Sequence, residues 1–99
     1  ISKFNNVKLE EGMILSNEPG YYKEGKFGIR IENLIYICKK EKKLSFENLT
    51  LVPIDKDLIN YKLLNKKEKD YLFRYHLFIY TKLSKYLNLN EKKWLIKNL

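Results

Sequence analysis

The sequence predicts an α+β domain in which antiparallel strands come first and helices follow. Three patterns carry that reading. Apolar and polar residues alternate with period two over residues 28–38, which is the pattern of a strand. Apolar residues recur at three- and four-residue steps over residues 71–87, which makes one stripe along a helix. All four glycines (Gly12, Gly20, Gly25 and Gly28) fall within residues 12–28, so the sterically demanding backbone lies in the first half. Ninety-nine residues make about one small domain. A chain this size buries only roughly 60–70% of its extended surface, so the core is thin.

Residues 1–54 read as strands. Met13, Ile14 and Leu15 open an apolar segment that runs to Glu18 and closes at Pro19-Gly20, a strong turn signal. In the alternating segment Ile29, Ile31, Asn33, Ile35 and Ile37 point one way, and Arg30, Glu32, Leu34, Tyr36 and Cys38 the other. Residues 39–43 form a polar turn. A third strand is expected over residues 44–52, stopped by Pro53, which cannot donate to a ladder.

Residues 55–99 read as helices after a short connection over residues 55–60. Asn65-Lys66-Lys67-Glu68 has the spacing of a capping box. Tyr71, Leu72, Tyr75, Phe78, Ile79, Leu83, Tyr86 and Leu87 form the apolar stripe. A second helix is expected to start at Asn90, with Leu89 and Trp94 placed as a hydrophobic staple.

The composition is skewed: 18 Lys against two Arg, ten Asn, and neither Ala nor Gln. This looks like an A/T-rich coding sequence written into permissive positions. The net charge of +8 divides into +2 over residues 1–50 and +6 over residues 51–99. A basic chain with interleaved tyrosines suggests nucleic-acid binding. Against it, the excess is almost wholly Lys, which lacks Arg's bidentate fork, and no RNP, KH or helix-turn-helix pattern is present. We therefore expect no nucleic-acid partner. No apolar run approaches the roughly 20 residues that span a bilayer, so no membrane partner is expected. One cysteine, Cys38, excludes an internal disulfide and suits a reducing, cytoplasmic compartment.

Two glutamates carry the chemistry. Glu18 and Glu32 sit in strand-like segments, where acidic residues are usually depleted. If the segments pair antiparallel about Gly25, residues whose numbers sum to 50 face each other, and Glu18 meets Glu32. Their Cβ atoms would lie roughly 4.5–5.5 Å apart on one face. Two like charges so placed need a cation. Arg30, on the same face, is one candidate, and a divalent metal is the other. From spacing alone, an ordinary Glu–Arg cluster on a solvated face is the commoner arrangement.

Resemblance shifts that balance. The run Gly12-Met13-Ile14-Leu15-Ser16-Asn17-Glu18-Pro19-Gly20-Tyr21-Tyr22, followed by Phe27-Gly28-Ile29-Arg30-Ile31-Glu32-Asn33, resembles the C-terminal signature of Xaa-Pro aminopeptidases (aminopeptidase P). These belong to the pita-bread metallopeptidases. The likeness continues through Leu49-Thr50-Leu51-Val52-Pro53-Ile54 and the aromatic-rich helix, and its ending resembles the C-terminal extension of the long eukaryotic type.

The resemblance implies the C-terminal part of a pita-bread fold. Residues 1–54 would be the last strands of the catalytic domain and residues 55–99 a helical C-terminal extension. It implies an enzyme that removes the N-terminal residue from peptides with proline in second place. Two divalent ions, manganese in this family, would be held by two aspartates, a histidine and two glutamates. By motif position Glu18 is a ligand of one ion and the proton acceptor from the attacking water. Glu32 bridges both ions, and Arg30 supports the acidic cluster from behind. A homodimer is also implied.

The aspartates and the metal histidine have no counterpart here, and His76, on a helix, cannot stand in for them. The chain is therefore expected to be a fragment, inactive by itself. A non-catalytic pita-bread binding module is the alternative within the same fold. Other residues invite plainer readings. Tyr21 and Tyr22 could line a substrate pocket or simply pack the turn. His76 reads as a packed or interface histidine, Cys38 has no neighbour that marks a reactive thiol, and Trp94 reads as core or interface.

Overall fold

The computed structural model describes residues 6–99. The chain forms two compact units, Ile1–Thr50 and Leu51–Leu99.

The first unit is built on one long antiparallel hairpin. Its strands are β1 (Ile14–Asn17), β2 (Gly20–Lys23), β3 (Phe27–Arg30) and β4 (Asn33–Lys40), and β5 (Lys43–Asn48) follows. β4 is the middle strand of a three-stranded sheet, β1-β4-β5, while β2 and β3 pair with each other. Ile14 faces Tyr36 and Asn17 faces Asn33; further out, Gly20 faces Arg30 and Lys23 faces Phe27. Paired numbers sum to 50 in both ladders, so the two share the register expected from the sequence. The turn falls at Gly25, whose φ of 65° lies in the left-handed region that glycine enters without steric cost.

The ladder is interrupted once, and the cause is chemical. Pro19 accepts a hydrogen bond from the Ile31 N–H at 3.1 Å but has no N–H to return. Pro19-Gly20 is therefore a break in pairing and not the turn that the dipeptide suggested. The chain passes straight through it into β2, a strand the sequence reading did not foresee. For the same reason the segment over residues 28–38 is two strands, β3 and β4, and not one. β5 stops at Asn48, short of residue 52, because the Thr50 hydroxyl takes the Leu34 N–H at 2.8 Å in place of a main-chain carbonyl.

Alternation decides which side of β4 is covered. Ile35 and Ile37 are buried at 6% and 2% exposure, whereas Leu34, opposite Ser16 of β1, is exposed. Ile29 and Ile31 continue the Ile35–Ile37 face by parity, yet both are about half exposed within this chain.

The second unit is helical. A 3-10 turn over Lys56–Leu58 is capped by Asp55, and α1 (Lys66–Leu83) follows. A further 3-10 turn, Ser84–Tyr86, leads to α2 (Leu89–Asn98). The capping box at α1 is present: Glu68 N–H donates to Asn65 Oδ1 at 3.0 Å, and Asn65 N–H donates to Glu68 Oε2 at 2.8 Å. Tyr75, Ile79 and Leu95 form the buried cluster, with Leu51, Ile54, Leu83 and Leu87 packed against it. The Tyr75 hydroxyl donates to the Val52 carbonyl at 2.9 Å, which satisfies the polar tip of a buried ring. Of the predicted stripe, Tyr71 and Tyr86 are exposed. α1 ends at Leu83, and the 3-10 turn carries Tyr86 off the helical period. Among the described residues no helix is long and apolar enough to cross a membrane.

The start of α2 corrects the sequence reading. Its N-cap is Asn88, with Glu91 completing a second capping box at 3.0 and 2.8 Å. Leu89 and Trp94 are 68% and 65% exposed, so they form no staple. The two reciprocal bonds of the Asn88–Glu91 spacing set the first turn, and this pushes the true pre-cap residue back to Leu87, which packs on the core.

His76 is buried at 6% exposure and fully engaged. Its Nε2 accepts from the Ile54 N–H at 3.3 Å, so its Nδ1 carries the proton and donates to the Leu99 main-chain oxygen at 3.0 Å. Burial lowers its pKa, with the Leu99 bond acting in the opposite direction. It is a packed histidine, as the sequence suggested.

Two outcomes follow. Asn88→Ala should cost about 1 kcal/mol in urea unfolding, while Asn90→Ala should stay within about 0.5 kcal/mol; the reverse ranking would return the helix start to Asn90. Because the folded pKa of His76 lies below the unfolded value of about 6.5, the unfolded chain binds more protons between those two values. Stability from this residue is therefore complete above about pH 6.5 and is lost as the pH falls from there toward the lowered folded pKa. Thermal melts across that interval should show the decline in the wild type and a flatter profile in His76→Gln.

Candidate carboxylate site on the long hairpin

Hydrogen bonding along the long hairpin decides how close its side chains come. The odd-numbered pairs carry the bonds: Ile37 N–H donates to the Met13 carbonyl at 2.9 Å, and Ile31 N–H to that of Pro19 at 3.1 Å. The even-numbered pairs are consequently the non-hydrogen-bonded kind, in which Cα atoms stand only about 4.5 Å apart and side chains are closest. Gly20 opposite Arg30 and Tyr22 opposite Gly28 are two such pairs. The register shared by the two ladders sets Glu18 opposite Glu32 in the gap that Pro19 opens between them. The even positions share a face, so Glu18, Tyr22, Arg30 and Glu32 stand together there.

Each carboxylate is held by a neighbour. The Ser16 hydroxyl donates to Glu18 Oε1 at 3.3 Å. Arg30 Nη2 lies 3.3 Å from Glu32 Oε2. The Arg30 guanidinium is held above its usual pKa, first by its hydrogen bond to Tyr22, then by the charge of Glu32, with Glu18 contributing as well. One guanidinium thus answers two carboxylates. Along this face, from Ser16 to Tyr22 and from Gly28 to Leu34, Arg30 is the one cationic side chain. The arrangement leaves negative charge that a hard divalent cation with oxygen ligands would neutralise. Among the described residues no three His, Cys, Asp or Glu side chains gather to hold an ion, so this chain offers two carboxylates and not a complete ligand set.

The glycines beside the pair make room for an aromatic ring. A Cβ at Gly20 would lie 2.7 Å from Tyr22 Oη, and one at Gly28 would lie 2.6 Å from Tyr22 Cδ1. Tyr22 therefore lies across both, with its hydroxyl beside Arg30. The sequence reading assigned those two glycines to backbone freedom; the structure shows that what they supply is space. An aromatic residue with a glycine two positions before it and another opposite was the available signal.

The remaining candidates are structural. Tyr21 is on the other face, its ring 6.0 Å from that of Phe27. The half-buried Cys38 thiol donates to the Ser45 carbonyl at 3.6 Å. Trp94 is neither core nor capped against Leu89. Both ring nitrogens of His76 are taken by main-chain groups.

Known proteins resemble this chain in sequence and in fold. Residues 42–99 match the model of the C-terminal region of peptidase M24, and residues 1–39 match that of metallopeptidase family M24. A peptidase of Schizosaccharomyces pombe is 42% identical over 96% of this chain and 17% of its own length. A Laccaria bicolor protein named Probable Xaa-Pro aminopeptidase P is 42% identical over 92% of this chain and 16% of its own. The crystal structure of X-prolyl aminopeptidase from Caenorhabditis elegans, described as a cytosolic enzyme with a di-nuclear active site, superposes with a TM-score of 0.81 at 31% identity. That match covers 98% of this chain and 17% of the other. The chain spans about one-sixth of the length of these relatives.

Proposed function

The chain belongs to metallopeptidase family M24 and has the antiparallel strands and C-terminal helices of its pita-bread fold. From that premise we propose that it works as part of a dimetal Xaa-Pro aminopeptidase, which removes the first residue of peptides whose second residue is proline. The observation that supports this reading is the shared register of the two ladders, which sets Glu18 opposite Glu32 in the gap between them, with Arg30 paired to Glu32.

In this reading residues 1–54 are strands of the catalytic domain and residues 55–99 a helical extension. Glu18 would be a ligand of one divalent ion and Glu32 a ligand shared by both; the other ligands would come from elsewhere in the protein. Carboxylate oxygens suit manganese better than a thiolate-seeking metal. When bound, such ions lower the pKa of a water and polarise the carbonyl to be cleaved. The chain's own residues do the rest. Glu18, oriented by Ser16, takes the proton released as the water attacks. Arg30 fixes the direction of the Glu32 carboxylate and keeps the two like charges tolerable side by side. Two carboxylates cannot hold two ions unaided, so residues 1–99 by themselves are inactive. The protein acts in the cytoplasm as a homodimer; the C. elegans enzyme is described as cytosolic.

Glu32→Ala in the intact protein should remove activity toward Xaa-Pro peptides and metal occupancy together, measured by peptide hydrolysis and elemental analysis. Near-normal turnover in that variant would refute the assignment. Arg30→Ala should weaken metal affinity or activity by about 10- to 100-fold, the usual cost of losing a group that orients a ligand. A wild-type protein that binds Xaa-Pro peptides without cleaving them, whatever metal is supplied, would mark a binding module in place of the enzyme.

A further inference from the structure

Glu32 lies in the gap between β3, which ends at Arg30, and β4, which begins at Asn33. Its main chain is therefore fixed by what holds the residues on either side of it. Toward β1 and β2 the anchors are the Ile31 N–H bond to the Pro19 carbonyl at 3.1 Å and the pairing of Asn33 with Asn17. On the other edge of β4, pairing with β5 reaches only as far as Ile35 with Asn48. The Leu34 N–H faces that edge just past the last strand partner. Thr50 takes the place of a strand there: its hydroxyl accepts from the Leu34 N–H at 2.8 Å. The Leu34 carbonyl in turn accepts from the Leu49 N–H at 2.8 Å and the Thr50 N–H at 3.4 Å. Both main-chain groups of Leu34 are thus clamped by the two residues that follow β5. Leu34 also faces Ser16, whose hydroxyl donates to Glu18 at 3.3 Å. The clamped pair stands two positions before one glutamate and two after the other.

We infer that Thr50 is a positioning residue for Glu32: it fastens the outer edge of β4 where that strand enters the carboxylate gap. The inference rests on the metallopeptidase reading of the carboxylate pair. Its physical basis is the precision that ligation demands. A metal ligand must be held within about 0.5 Å of its working place, and that precision comes from the rigid elements beneath the side chain. A strand end tethered along one edge alone can turn about that edge, and ends are where pairing opens first. Bonds on both edges, at the neighbouring residues Asn33 and Leu34, remove that freedom directly beside Glu32. Valine at position 50 would keep the branched shape and lose the oxygen. The Leu34 N–H would then be left without this acceptor, which costs more than the bond itself is worth on balance.

The test uses the intact protein, stripped of metal and titrated with Mn2+ by calorimetry. Thr50→Val should raise the dissociation constant for Mn2+ about 10-fold, the lower end of the usual cost of losing a group that orients a ligand. It should lower kcat for an Xaa-Pro peptide with KM little changed. Thr50→Ser, which puts the hydroxyl back, should recover most of both. Asn88→Ala, which loosens the helical unit instead, should bind Mn2+ as the wild type does, so general loss of stability does not account for the effect. One further measurement needs no variant to fold. Mn2+ should slow hydrogen exchange at the Leu34 amide of the wild type, because coupling between the clamp and the ion is reciprocal. Equal Mn2+ affinity in Thr50→Val and wild type, equal losses in Thr50→Val and Asn88→Ala, or Leu34 exchange indifferent to Mn2+ would overturn the inference. Those results are distinct from failure of the underlying reading, which shows as full metal occupancy and turnover in Glu32→Ala.

Discussion

Everything at the site depends on one register. Because the hairpin folds about Gly25 with a three-residue turn, every pair sums to 50, and because its odd pairs carry the hydrogen bonds, its even pairs stand closest. Moving the turn by one residue would exchange the faces of one arm relative to the other and part the two glutamates. The repulsion between them gives the chain a reason to avoid the observed register, and nothing in their own side chains repays it. Compensation comes from elsewhere: from Arg30 in this chain and, in the proposed enzyme, from bound cations.

Pro19 explains how two carboxylates can occupy a strand pair without belonging to a regular ladder. A proline in the middle of a sheet costs a hydrogen bond, which is why prolines retreat to edges and bulges. Here the missing N–H falls beside the carboxylates, and pairing loosens where charged side chains stand. The chain then resumes its register at Gly20. The exposed apolar side chains on the opposite face of β2 and β3, among them Tyr21, Phe27, Ile29 and Ile31, show that this part of the hairpin is not self-sufficient in burial. A chain that covers about one-sixth of its relatives leaves such a face unaccounted for.

Much of this was legible in the sequence, and the exceptions have specific causes. Alternation over residues 28–38 and the pairing rule about Gly25 located the faces correctly, since both depend only on the period-two geometry of a strand. The capping box at Asn65 was legible because it is a local, reciprocal device. The one at Asn88 has the same spacing but competes in the sequence with an apolar pair, Leu89 and Trp94, that the capped register points into solvent. Pro19-Gly20 reads as a turn in the sequence because turn statistics are blind to a glycine needed for space. That need becomes visible only when Tyr22 is placed above it. The buried state of His76 was anticipated; its two main-chain partners, 22 and 23 residues away, were not, because they depend on tertiary packing.

The choice of cation at position 30 fits the same picture. This chain writes a positive side chain as Lys eighteen times and as Arg twice, so its composition favours a lysine at any position indifferent to the difference. Position 30 is not indifferent. Its guanidinium lies 3.3 Å from one carboxylate, and it feels the charge of a second beyond it. A planar fork with five donors can serve several partners in fixed directions, whereas an ammonium is a compact point charge at the end of a flexible stem. A lysine could supply the charge needed to offset Glu18 and Glu32. It could not lie against Glu32 with one fixed orientation, and orientation is what a carboxylate pair needs if both members are to face the same ions.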